Sequence, residues 1–217
     1  MQEIFAELDQ LEYDEAIGIL LKYSLLKRDD EAGFLLMHRL VQDVLRAQLT
    51  EAQQKTVVEQ VVSLLTVAYP DGELENVNYQ AWAERSQDWL ENAQVVTPWL
   101  EQWQIASEAV GTLLNQMGYY LHAMGNYTLA LPLYQQALQI REQVLGQQHP
   151  DYASSLNNLA GLYESQGEYQ QALPLYQQSL TICKQVLGNQ HPRTKTVAEN
   201  YELCRAKITK KWWQFWK

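Results

Sequence analysis

Apolar residues recur at helical spacing through most of the chain. From Asp151 to Gln166 they fall at Leu156, Leu159, Ala160 and Tyr163, which is one face of a helix. Gly167 follows as a left-handed C-cap that ends it. A second stripe, Ala172, Leu173, Leu175, Tyr176, Leu180 and Ile182, predicts a helix over about Tyr169 to Val186. The string from Leu187 to Pro192 closes that helix and opens the next. Pro132 and Pro174 stand past the first turn of their helices, where each removes one backbone hydrogen bond and bends the helix slightly.

The pattern repeats. Gly125 to Pro150 recurs as Gly167 to Pro192, shifted by 42 positions with 18 of 26 residues identical. A fixed period of this kind marks a solenoid of stacked helix pairs. Two units, Gly111 to Tyr152 and Ala153 to Thr194, are complete. Lys195 to Ala206 reads as the first helix of an unfinished third, in which Asn200 repeats Asn158.

The first 50 residues read differently. Two short apolar segments, beginning at Ser24 and Phe34, flank Asp29 to Gly33 and predict a small β-hairpin. A short helix around Asp14 to Leu21 precedes it, and an amphipathic helix continues from His38 to Arg46. Two longer helices follow, about Glu51 to Ala68 and Tyr79 to Trp103. Trp82 and Trp89 lie seven apart and Trp99 and Trp103 four apart, spacings that return to one helix face. Such tryptophans weld this N-terminal winged-helix pattern to the first repeat or, alternatively, form a ligand-binding aromatic cage.

The residues Leu156-Asn-Asn-Leu-Ala-Gly-Leu-Tyr163, Gly167-Glu-Tyr169, Ala172-Leu-Pro-Leu-Tyr176 and Leu187-Gly-Asn-Gln-His-Pro192 resemble the tetratricopeptide repeats of kinesin light chains. The hairpin followed by Met37-His38-Arg39-Leu-Val-Gln42 resembles the winged helix behind the nucleotide-binding core of NB-ARC/STAND-type signalling ATPases, with a helical connector ahead of repeats. The two resemblances imply an all-α chain, a degenerate winged helix with a small β-hairpin over 1–50, a connector over 51–110 and a tetratricopeptide solenoid over 111–208, while the tail over 209–217 lies beyond both. In those ATPases the histidine matching His38 contacts nucleotide. Here Arg39 replaces the commoner aspartate and the sequence holds no GxxxxGK[ST] phosphate loop, so His38 is read as a structural relic rather than a sensor.

Family register places Thr112, Asn115, Tyr119 and His122 of the first repeat, and Ser154, Asn157 and Glu164 of the second, on the concave side, with Lys195 and Glu199 extending the row. Asparagine amides both donate and accept, as an extended peptide backbone requires, and Tyr119 adds apolar contact. The alternative is an ordinary solvated helix face. The resemblance therefore implies a non-catalytic scaffold that binds a protein or peptide, or else a regulatory fragment of a STAND-type NTPase whose nucleotide-binding core is on another chain or lost.

Charge and chemistry narrow the choice. The net charge is -10, but residues 1–204 carry 26 acids against 11 bases, a body that disfavours nucleic acid. No apolar run approaches the roughly 18 residues of a membrane span, and the acidic start is no leader, so the expected location is cytoplasmic. Cys183 and Cys204 lack paired spacing and are expected to be reduced and buried. His149 and His191 sit in equivalent turns before a helix-starting proline, without further ligands. No metal, cofactor or catalytic pair is expected.

The tail is basic and aromatic. In a helix Trp212, Trp213, Phe215 and Trp216 share an arc, with Lys210, Gln214 and Lys217 opposite and Lys211 beside them. Three roles stay open: a cap on the unfinished solenoid, a docking peptide for a partner's pocket, and a weak, reversible contact with a membrane surface.

Overall fold

A computed structural model of the chain describes residues 26–29, 34–37, 50–69 and 79–215. By its contacts the chain forms two compact units, residues 1–58 and 59–217. In the first, β1 (Leu26–Asp29) pairs antiparallel with β2 (Phe34–Met37), with Leu26 opposite Met37 and Asp29 opposite Phe34. The other parts of the winged-helix reading, including His38 and the flanking helices, lie outside the described residues. All remaining regular structure among the described residues is helical.

Helix α1 (Glu51–Ala68) starts with a reciprocal cap. The Thr50 amide donates to Gln53 Oε1 at 2.9 Å and the Gln53 amide donates to Thr50 Oγ1 at 3.4 Å, which satisfies two of the free N–H groups of a helix start. Helix α2 (Tyr79–Trp103) is tied to the end of α1 by Trp89, whose indole N–H donates to the Leu65 carbonyl at 2.7 Å and whose ring meets Tyr69 edge-on. Trp89 thus ties α2 to the end of α1, a different junction from the one expected between winged helix and first repeat. Gln116 Nε2, donating to the Thr66 carbonyl at 3.1 Å, carries the connection into the repeats.

The solenoid consists of α3 (Glu108–Ala123), α4 (Tyr127–Leu145), α5 (Pro150–Ser165), α6 (Tyr169–Val186) and α7 (Pro192–Phe215). α6 begins and ends at the residues the apolar stripe predicts. His149 and His191 are N-caps: each Nδ1 accepts the amide two residues on, Asp151 or Arg193, at 3.2 Å. That role explains their place before proline. Gly125 and Gly167 stand at φ +75° and +79°, the left-handed region, and stop α3 and α5 after 16 residues each.

The equivalent position after the next 42 residues is Thr209, a β-branched residue that resists left-handed backbone. α7 accordingly runs through it for 24 residues, as far as Phe215, carrying the tail on as helix.

The core lies between the paired helices. Tyr152, Leu156, Ile182, Cys183 and Val197 form one cluster, and Ala160, Ala172, Tyr176 and Cys204 a second. Each large side chain so buried contributes about 1.5–3 kcal/mol of transfer free energy. Cys183 and Cys204 are buried and unpaired with each other. Among the described residues no helix is long and apolar enough to cross a membrane.

Candidate functional site

The first helix of each pair, α3, α5 and α7, shares one face, and side chains cross it at a constant interval. Asn158 Nδ2 donates to Asn115 Oδ1 at 3.1 Å, and Asn200 Nδ2 donates to Asn157 Oδ1 at 3.0 Å. Both pairs are 43 residues apart, one more than the repeat period. A long 3.5 Å contact between Asn157 Nδ2 and Asn158 Oδ1 joins the two pairs into one ladder across three helices. All four amides are half-buried. Each has two donors and two acceptor lone pairs, so the ladder leaves hydrogen-bonding capacity unused.

A second tier lies seven residues, or about two helical turns, further along the same helices. His122 Nε2 meets Ser165 Oγ at 2.9 Å, and Lys207 Nζ donates to Glu164 Oε1 at 2.8 Å, again 43 residues apart in each case. Glu164 Oε2 also accepts the Tyr176 hydroxyl at 2.8 Å. The Glu164 carboxylate holds the Lys207 ammonium above its ordinary range. Burial and that same acceptor push the Tyr176 phenol up. His122, half-buried and edge-on to Tyr127 and Tyr134, is held below its ordinary value by burial.

The sequence-derived residues divide into three groups. Asn115, Asn157, His122 and Glu164 lie within the two tiers. Tyr119 is half-buried and its phenol raised by burial, while Thr112 Oγ1 accepts from Arg141 Nη2 at 3.1 Å and Ser154 Oγ donates back to the Pro150 carbonyl at 3.1 Å. Lys195 and Glu199 are exposed on α7. The side chains of Lys210 to Phe215, and Trp216 entirely, lie outside the described residues.

Sequence reasoning passed over Asn158, Asn200, Ser165 and Lys207 as site residues. The signal was present, since neighbouring first helices related by 42 residues bring position i opposite i+43. It also passed over Arg141, which is only 5% exposed. Its guanidinium donates to the Asp151 carbonyl at 3.0 Å, Ser155 Oγ at 2.8 Å and Thr112 Oγ1, and burial lowers its pKa. Among the described residues, no three His, Cys, Asp or Glu side chains gather as they would around a metal ion.

Residues 109–185 and 151–208 match the tetratricopeptide repeat family, and residues 2–54 match a domain of unknown function, DUF7779. No curated protein matches the chain. Among solved structures it is similar to the nearly identical TPR-like repeats of a kinesin light chain from Podosopora anserina, at 19% identity and a TM-score of 0.52, over 70% of this chain and 69% of that one. A point variant of those repeats gives 17% identity and a TM-score of 0.51, over 75% and 72%. The likeness is one of fold. Residues 109–208 thus carry tetratricopeptide repeats in a helical solenoid.

Proposed function

We propose that these repeats form a non-catalytic scaffold that binds an extended segment of a protein partner along the face of α3, α5 and α7, the concave side in the family register. The observation that carries this reading is the asparagine ladder. Four amides, held in register by one another and retaining spare donors and acceptors, match the alternating N–H and C=O groups of an extended backbone. Tyr119 supplies apolar area, and the His122–Ser165 and Glu164–Lys207 pairs form a polar margin. Selection of peptides from a displayed library on the immobilised chain, followed by calorimetry, tests it. Asn157→Ala combined with Tyr119→Ala is expected to weaken the selected peptides at least about tenfold, or about 1.4 kcal/mol, with helicity unchanged. Equal affinity for wild type and double variant would place the interface elsewhere.

A second reading makes the chain the regulatory end of a STAND-type signalling ATPase whose nucleotide-binding core is on another chain or lost. It is supported by the pairing of β1 with β2 where a winged helix carries its hairpin.

A further inference from the structure

We propose that this protein associates head to tail, the aromatic tail of one copy seating in a cleft on the back of the first repeat of the next. The cleft, about 800 Å³, opens between α2 and α4 on the side of α3 opposite the asparagine ladder. Leu100, Ile105, Leu114, Leu129 and Leu133 line it, and Glu101 is its one charged residue among those described. A volume of that size suits a few large side chains.

The second repeat acts as an internal control. Leu129 is 52% exposed at the cleft, and the equivalent position 42 residues on is Gln171, also exposed. An otherwise near-identical segment therefore carries an apolar side chain where it borders the cleft and a polar one where it does not. An exposed leucine beside an open apolar cleft marks a contact surface.

The occupant is argued from the other end of the molecule. Residues 205–217 hold five bases, no acid, three tryptophans and a phenylalanine, whereas residues 1–204 carry 26 acids against 11 bases and the one charged residue lining the cleft among those described is Glu101. Tryptophan clusters are favoured anchors in an apolar cleft, and flanking lysines complement Glu101. α7 outruns its sister helices by eight residues, or about 12 Å of helix, because Thr209 replaces the stopping glycine. That helix packs on α5 and α6, while the cleft belongs to α2, α3 and α4, at the opposite end of the stack. A continuous helix cannot turn back along its own solenoid, so the tail that fits this cleft comes from a second copy. Such a contact uses two different surfaces and is heterologous.

Sedimentation velocity on the full chain over a concentration series tests the proposal, using two variants. Leu129→Arg blocks the cleft at an exposed position, and Trp212→Ser with Trp213→Ser and Trp216→Ser disarms the tail. Wild type is expected to grow in mass with concentration. Each variant alone is expected to sediment as a monomer with an unchanged melting temperature, and an equimolar mixture to form a one-to-one heterodimer that grows no further. A monomeric wild type, self-association retained by either variant, or a mixture that stays monomeric would overturn it. So would a tail variant whose losses are confined to a lower melting temperature, a cap on its own solenoid, or to binding of phosphatidylserine vesicles.

Discussion

The two repeats share most of their second helix and turn, yet they solve the same packing positions with different chemistry. At position 141 the first repeat buries an arginine, where the second, at 183, buries a cysteine. The partner position changes with it. A Cβ on Gly111 would meet Arg141 Cγ at 3.0 Å, while its counterpart facing Cys183 is Ala153. Across the shared face of α3, α5 and α7, His122 with Ser165 becomes Glu164 with Lys207. A common backbone thus fixes which positions meet, and the side chains decide what each meeting does.

The largest test of that contrast is Arg141→Ala against Cys183→Ala. Arg141 holds three acceptors from both repeats, so its loss leaves a cavity and unpaired polar groups, with an expected cost of about 2–4 kcal/mol. Cys183→Ala removes one buried sulfur and is expected to cost about 1 kcal/mol. Chemical denaturation measures both, and equal losses would show that the arginine adds nothing beyond its volume.

Next in size are the stops. Gly167→Val forces a β-branched residue into left-handed backbone at φ +79° and is expected to cost about 1–2 kcal/mol, read as a lower denaturation midpoint. An unchanged midpoint would contradict the repeat boundary.

The smallest effect is the pH response of the second tier. Burial holds the His122 imidazole below its ordinary 6.5, so the unfolded chain takes up this proton first. Stability from this group is complete above about pH 6.5 and falls as the pH drops through 6.5 towards the folded value. Thermal melts from pH 8 to about pH 5 should show a shallower decline for His122→Gln than for wild type. Parallel curves would mean that His122 titrates as it does in the unfolded chain.

Local signals made the helices readable. Gly125, Gly167, Pro150 and Pro192 act on their own backbone, so their consequences can be inferred without the fold. The site was less legible because its contacts join helices. Asn115 and Asn157 were placed on the face by family register, but their partners Asn158 and Asn200 emerge only from the near-parallel stacking that sets i against i+43. Arg141 was hidden by its type, since arginine is mostly exposed and its burial depends on acceptors supplied from α3 and α5. The extension of α7 turned on a missing stop, Thr209 in place of glycine.

The asparagine ladder as the peptide-binding surface is the central claim, and side-chain amide resonances report on it directly. With a library-selected peptide titrated into isotope-labelled protein, the amide signals of Asn115, Asn157, Asn158 and Asn200 are expected to shift together and saturate at the calorimetric affinity. Saturable shifts confined to α4 and α6, with those four amides unmoved, would contradict it.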